Sequence, residues 1–203
     1  VPKHFAVLPG PPPPLLVALG SVPHGERDGD VVLVRGALSP GEVAAVHAAA
    51  RHPSAAKRVR YFVVPPYSAR LERPLLAIAP TIFERILALA EWADSWLWRA
   101  LPPCAFPEAE YIIYEAPPDA AVGPHRDEDS AITSVAMLSS SEDFVGGASC
   151  FAGNGSGPTP EASREVRLDL GDMLLFRGEC LEHWVSPVSA GRRVILQMEL
   201  CRR

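Results

Sequence analysis

The residues best suited to chemistry lie in two short segments. In Gly123-Pro124-His125-Arg126-Asp127 an imidazole and a carboxylate stand two positions apart. On an extended strand this spacing turns both side chains to one face. Together they form two thirds of a 2-His-1-carboxylate set, which grips Fe(II) and leaves three coordination positions open. The third ligand has to be a histidine from a neighbouring strand. Of the six histidines, His4 and His24 fall in a proline-rich N-terminal stretch. His47 and His52 fall on a predicted helix, five positions apart, and read as surface residues. That leaves His183. It follows Gly171-Asp172-Met173-Leu174-Leu175-Phe176 and opens His183-Trp184-Val185-Ser186-Pro187-Val188, with Gly191 and Arg193 beyond.

This order of H-x-D, histidine, Pro-Val, glycine and a basic residue resembles the Fe(II)- and 2-oxoglutarate-dependent dioxygenases, within them the prolyl 4-hydroxylase-like branch. A weaker likeness extends over about residues 31–201. The resemblance implies that His125, Asp127 and His183 ligate iron and form the catalytic centre. It implies that Arg193 pairs with the distal carboxylate of 2-oxoglutarate, a match for the planar guanidinium fork. Tyr114 is the implied hydrogen-bond partner of the same carboxylate. Tyr111 competes for that role, because the segment around Pro117-Pro118 is slightly longer than usual. Gln197, four residues past Arg193 on the same strand face, is expected to line the pocket. Met137 stands where some relatives have another tyrosine.

The implied cofactor is Fe(II), with 2-oxoglutarate and O2 as co-substrates and ascorbate as an accessory reductant. The implied reaction is hydroxylation of an unactivated C–H, first of all in a prolyl residue of a peptide or protein. A free amino acid or small metabolite is the alternative substrate, and a catalytically silent jelly-roll binding module the alternative class. Collagen-type enzymes anchor the keto acid with lysine, so Arg193 speaks against a collagen-modifying role. The fold implied is mainly β: a double-stranded β-helix (jelly roll, cupin-like) core with N-terminal helices packed on one sheet.

Other chemistries fare worse. His125-Arg126-Asp127 spells a kinase catalytic-loop tripeptide, but no Gly-rich loop, strand lysine or D-F-G accompanies it. Zinc held with Cys180 would need a poor facing between Cys180 and His183. Only Lys3 and Lys57 are lysines, which leaves almost no place for a Schiff base or a phosphate-binding P-loop. With 19 basic and 24 acidic residues the net charge is −5, against a nucleic-acid or polybasic membrane surface. No apolar run reaches the ~18 residues of a membrane span. Residues 15–19 are apolar but lack a basic leader, which disfavours a signal peptide and points to a soluble, cytoplasmic protein. The start at Val1 implies that the natural N-terminus lies upstream. The four cysteines form no C-x-x-C pair and are expected as buried free thiols.

The elements that position these residues follow from pattern. Residues 1–30 read as a proline-rich arm whose run Pro11 to Pro14 favours polyproline II. Such an arm offers a route to weak self-association of an otherwise monomeric protein. Residues 31–203 read as one domain, with helical support at 31–107 and a jelly-roll core at 108–203. Val31 to Val34 predicts a strand. Ser39-Pro40-Gly41-Glu42 predicts a capped helix to about Arg51. Arg58 to Val64 predicts a strand, and Tyr61 to Pro80 a long connection placed to act as a lid. Thr81-Ile82-Phe83-Glu84 predicts a second capping box, opening a helix to Ala100. Its tryptophans, Trp92, Trp96 and Trp98, are expected to pack on a sheet. Short strands follow at 111–115, 131–138, 148–151, 165–169, 173–176, 183–186 and 193–200, the pattern of a double sheet. Ala152 to Pro160 predicts a loop.

Overall fold

The computed structural model describes residues 6–7, 25–28, 31–59, 67–117, 119–152 and 163–202. Within the proline-rich stretch, β1 (Ala6–Val7) pairs with β2 (Gly25–Asp28), and β2 with β3 (Val31–Val34). The run Pro11 to Pro14 lies outside the described residues, as does most of the predicted loop 152–160. Helix α1 (Pro40–Ala50) starts on a complete capping box: the Glu42 amide donates to Ser39 Oγ, and the Ser39 amide to the Glu42 carboxylate. Strand β4 (Ala56–Val59) begins the predicted 58–64 strand early; residues 60–66 fall outside the described set.

The described part of the expected connection to Pro80 is mostly regular structure. It holds β5 (Tyr67–Arg70) and α2 (Glu72–Ile78) before α3 (Pro80–Leu97). The second capping box is absent. Pro80 takes the first helical position, so the N-cap falls on Ala79, which has no side chain to offer. The far end of α3 is held by Asp94, whose carboxylate accepts from the Ala100 and Leu101 amides at 2.6 and 3.2 Å. Trp92 and Trp98 pack on the core as expected, whereas Trp96 is 52% exposed.

Strands β6 (Phe106–Glu115), β7 (Ala120–His125), β8 (Ser130–Met137), β9 (Phe144–Gly146), β10 (Ser149–Phe151), β11 (Arg164–Val166), β12 (Met173–Phe176) and β13 (His183–Cys201) complete the order. The main sheet runs β1-β2-β3-β12-β8-β13-β6-β5-β4, every pair antiparallel. A smaller sheet sets β10, β7 and β9 against the first half of β13, with β11 outside β10. The two strands predicted at 183–186 and 193–200 are thus one strand that serves both sheets. It changes sheet through register shifts around Pro187 and Ala190. Pro187 has no N–H for a ladder, and Gly191 has φ +75 and no room for a Cβ, which would lie 2.0 Å from Asp143 O.

Alternation decides what each strand face meets. Val194, Leu196, Met198 and Leu200 of β13 point to the helices, with Val32, Val34, Met173 and Leu175. Ile195, with Val31, Leu33, Leu174 and Phe176, points into the space between the sheets. Each such side chain, fully buried, contributes roughly 1.5–3 kcal/mol. Asp172 ties the turn after β3 to the turn before β12 by accepting from Arg35 Nη1 and the Gly36 and Asp169 amides at 2.6–3.1 Å. Among the described residues, no helix is long and apolar enough to cross a membrane.

Candidate functional site

His125 closes β7 and His183 opens β13, and the ladder sets the two directly opposite each other. Asp127 does not share the strand with His125, as the spacing predicted. It sits two residues past the strand end, where its amide donates to Gly178 O at 3.1 Å. The turn still brings it to the same point: His125 Nε2 lies 3.4 Å from Asp127 Oδ1, and His183 Nε2 lies 3.4 Å from Oδ2. One ligand atom from each of the three falls within 4.8 Å of the others.

Both rings are oriented by their far nitrogens. His125 Nδ1 is 2.9 Å from Gly123 O, and His183 Nδ1 is 2.9 Å from Leu181 O. A carbonyl can only accept, so Nδ1 carries the hydrogen and Nε2 is directed at the carboxylate. Phe176 packs edge-on against the His183 ring, centroids 4.6 Å apart. Burial pushes the Asp127 carboxyl up, but the two imidazoles and the Thr133 hydroxyl outweigh it and hold the group well below the usual carboxylate range.

Next to this cluster opens a cavity whose lining includes His125, His183 and Arg193. Arg193 is 0% exposed. Its Nη2 donates to Ser149 Oγ at 3.1 Å, while Nε and Nη1 are buried without a hydrogen-bond partner. Its guanidinium carbon stands 5.0 Å above the Tyr114 ring. Burial pushes the guanidinium below its ordinary value, and Tyr114 opposes the shift.

Of the two tyrosines, Tyr114 lines this cavity. Tyr111 points the other way, and its hydroxyl meets His47 Nδ1 at 2.7 Å while His47 Nε2 reaches Leu138 O at 3.1 Å. His47 is therefore no plain surface residue but a link between α1 and the main sheet. His52 is exposed, as expected. Gln197 lines the cavity and bonds to Glu199 on its own strand. Met137 is buried between the sheets. The thiols divide: Cys150 and Cys201 are buried, but Cys104 and Cys180 are exposed, against the expectation of four buried ones.

Two participants were missed by the sequence reading. Ser149 holds Arg193, and Thr133 donates to Asp127 Oδ2 at 2.6 Å. A signal existed for Thr133. Ser130, Thr133 and Ser134 interrupt an otherwise apolar strand, and buried hydroxyls require partners.

No protein-family model matches the sequence, and no curated protein does. Solved structures match over nearly the whole chain. A Pseudomonas putida prolyl-4-hydroxylase superposes with a TM-score of 0.60 at 16% identity, covering 86% of this chain and 93% of its own. A 2OG-Fe(II) oxygenase family oxidoreductase from Burkholderia pseudomallei gives 0.61 at 20% identity, covering 98% and 94%. A Trichoplax adhaerens prolyl hydroxylase in complex with a hypoxia inducible factor peptide fragment gives 0.65 at 14% identity, covering 85% and 83%. Two sheets joined through one shared strand, with helices on the outer face of the larger, give this chain the double-stranded β-helix fold of the 2-oxoglutarate- and Fe(II)-dependent oxygenases, prolyl 4-hydroxylases among them.

Proposed function

We propose that the protein is an Fe(II)- and 2-oxoglutarate-dependent oxygenase that hydroxylates an unactivated C–H, with a prolyl residue of a peptide or protein as substrate. Arg193 carries the reading. A buried cation costs several kcal/mol unless a counter-charge meets it. No acidic side chain among the described residues pairs with Arg193, two of its nitrogens are buried without a hydrogen-bond partner, and the residue lines the same cavity as His125 and His183. A small dicarboxylate bound in that cavity supplies the missing charge.

The residues fit a metal as well. Cis ligands about 2.1 Å from an ion lie about 3 Å apart, near the 3.4 Å found between each Nε2 and the carboxylate. His125, His183 and Asp127 would hold the iron, and ligation from one side leaves room for the keto acid and O2. When bound, iron and co-substrate supply the oxidation: 2-oxoglutarate, O2 and R–H give succinate, CO2 and R–OH.

The chain's own part is to bind and orient. Arg193 pairs with the distal carboxylate, while Ser149 and Tyr114 keep the guanidinium in place. Val135, Leu174 and Ile195 line the cavity and keep water from the keto-acid chain. The carbonyls of Gly123 and Leu181 fix both imidazoles in the metal-binding tautomer. No protein acid–base pair is required. Support for a peptidyl substrate comes from the similar prolyl hydroxylases, one of which holds a peptide fragment.

The test is incubation with Fe(II), 2-oxoglutarate and ascorbate, offering proline-rich peptides and free amino acids and reading succinate and oxygen-atom mass gain. Peptidyl hydroxyproline supports the proposal. Oxygen gain in free amino acids alone replaces the substrate. Absence of succinate with every substrate, equal to His125→Ala, leaves a binding module and overturns the enzyme.

A further inference from the structure

The hydroxyl groups behind Asp127 do more than satisfy one another. Thr133 Oγ1 lies 2.6 Å from Asp127 Oδ2 and 2.9 Å from Ser130 Oγ. A carboxylate only accepts, so the single Thr133 hydrogen goes to Asp127 and Ser130 must donate into Thr133. The chain therefore has one direction, Ser130 to Thr133 to Asp127. Ser130 and Thr133 are both 0% exposed, so water cannot replace either. Gly178 backs the group: a Cβ there would lie 2.3 Å from Thr133 Oγ1 and 2.9 Å from Asp127 Oδ2. The same residue's carbonyl takes the Asp127 amide at 3.1 Å. Asp127 is thus gripped at its backbone and at Oδ2, while Oδ1 faces His125 Nε2 and Oδ2 faces His183 Nε2, each at 3.4 Å.

From this geometry we infer that Thr133 is a positioning residue: by donating to Oδ2 it holds the Asp127 carboxylate in the orientation that faces both imidazoles. The inference rests on the metal reading above. A carboxylate free to turn would present its oxygens to the ion at varying angles, whereas one held by Thr133 is fixed before the metal arrives.

The test is anaerobic calorimetry with Mn(II), followed by 2-oxoglutarate titrated into the Mn(II)-loaded protein. Thr133→Val keeps the shape and loses the hydroxyl; Thr133→Ser keeps the hydroxyl. The valine variant should bind Mn(II) about ten- to a hundredfold more weakly, and its loaded form should bind 2-oxoglutarate more weakly as well. The serine variant should stay within about threefold of wild type. Valine within threefold of wild type, or serine as weak as valine, overturns the inference. If Thr133→Val does not fold, Ser130→Ala and Gly178→Ala decide. Both should weaken Mn(II) binding, and unchanged affinity in both overturns the inference. Wild-type protein that binds no Mn(II) brings down the metal reading itself. Wild-type binding matched by Thr133→Val brings down this inference alone.

Discussion

Moving a charged group from water into a protein interior costs several kcal/mol unless an opposite charge meets it. Arg193, fully buried with two unpartnered nitrogens, bears that cost in the ligand-free protein, and in the proposed function a carboxylate offsets it. Arg193→Met should therefore raise the melting temperature of the ligand-free protein. A gain of about 1 kcal/mol moves a chain of this size by roughly 2–4 °C. The same variant should lose the added stability that 2-oxoglutarate with Mn(II) gives wild type, a gain that grows with ligand concentration. Thermal melts with and without ligand check both, and an unchanged ligand response in the variant would contradict the placement of the carboxylate. The thiols separate by surroundings. Burial, with Glu199 and Glu108 adding, pushes Cys201 up to about 12. Because the folded value lies above that of the free thiol, its contribution is complete below about pH 8.5. It is lost as pH rises from there toward 12. Cys201→Ala should flatten the alkaline fall in stability across that window. A thiol reagent at neutral pH should label Cys104 and Cys180 quickly and the buried Cys150 and Cys201 only on unfolding.

Elements were legible where their signals were local. The box at Ser39 and Glu42 works over three residues, and α1 starts where it predicts. Ser39→Ala should cost about 1 kcal/mol, seen as a drop of a few degrees in melting temperature without loss of turnover. The bend in β13 can be tested at Gly191. Alanine there has to hold φ +75 and meets the Asp143 carbonyl, so it should destabilise by more than about 1 kcal/mol. Denaturant melts report both. The His–Asp–His cluster was legible because H-x-D and the segment at His183 keep their chemistry within a few residues. What stayed hidden joins distant parts of the chain. His47 meets Tyr111 across 64 positions, Arg35 meets Asp172 across 137, and Ser149 meets Arg193 across 44. Local spacing carries no trace of such pairs. A competing local signal overrode the second capping pattern: Pro80, suited to the first helical position, began the helix one residue before Thr81. Trp96 fits the helical period yet lies on the outer side, 52% exposed, because no element among the described residues covers it.

Across the whole molecule, β13 joins everything: it pairs with β6, β7, β8, β9 and β10. Its amides from Val194 to Leu200 lie in the main sheet between β6 and β8, and should exchange only on global unfolding. The outer strands β4 and β11 should exchange through local opening at far lower free energy. Hydrogen exchange with peptide-level resolution checks this, and fast exchange at residues 194–200 would refute it. The same continuity makes the strand a gauge. His183 and Arg193 sit on one strand, so their separation is set by its residue count and by the register shifts around Pro187 and Ala190. One residue inserted between Arg192 and Arg193 would reverse the pleat and swing the guanidinium into the helical layer. Two would restore its face but carry it about 7 Å farther on. If the keto acid binds as proposed, the length of guest the site accepts is written into the count of residues along a single strand.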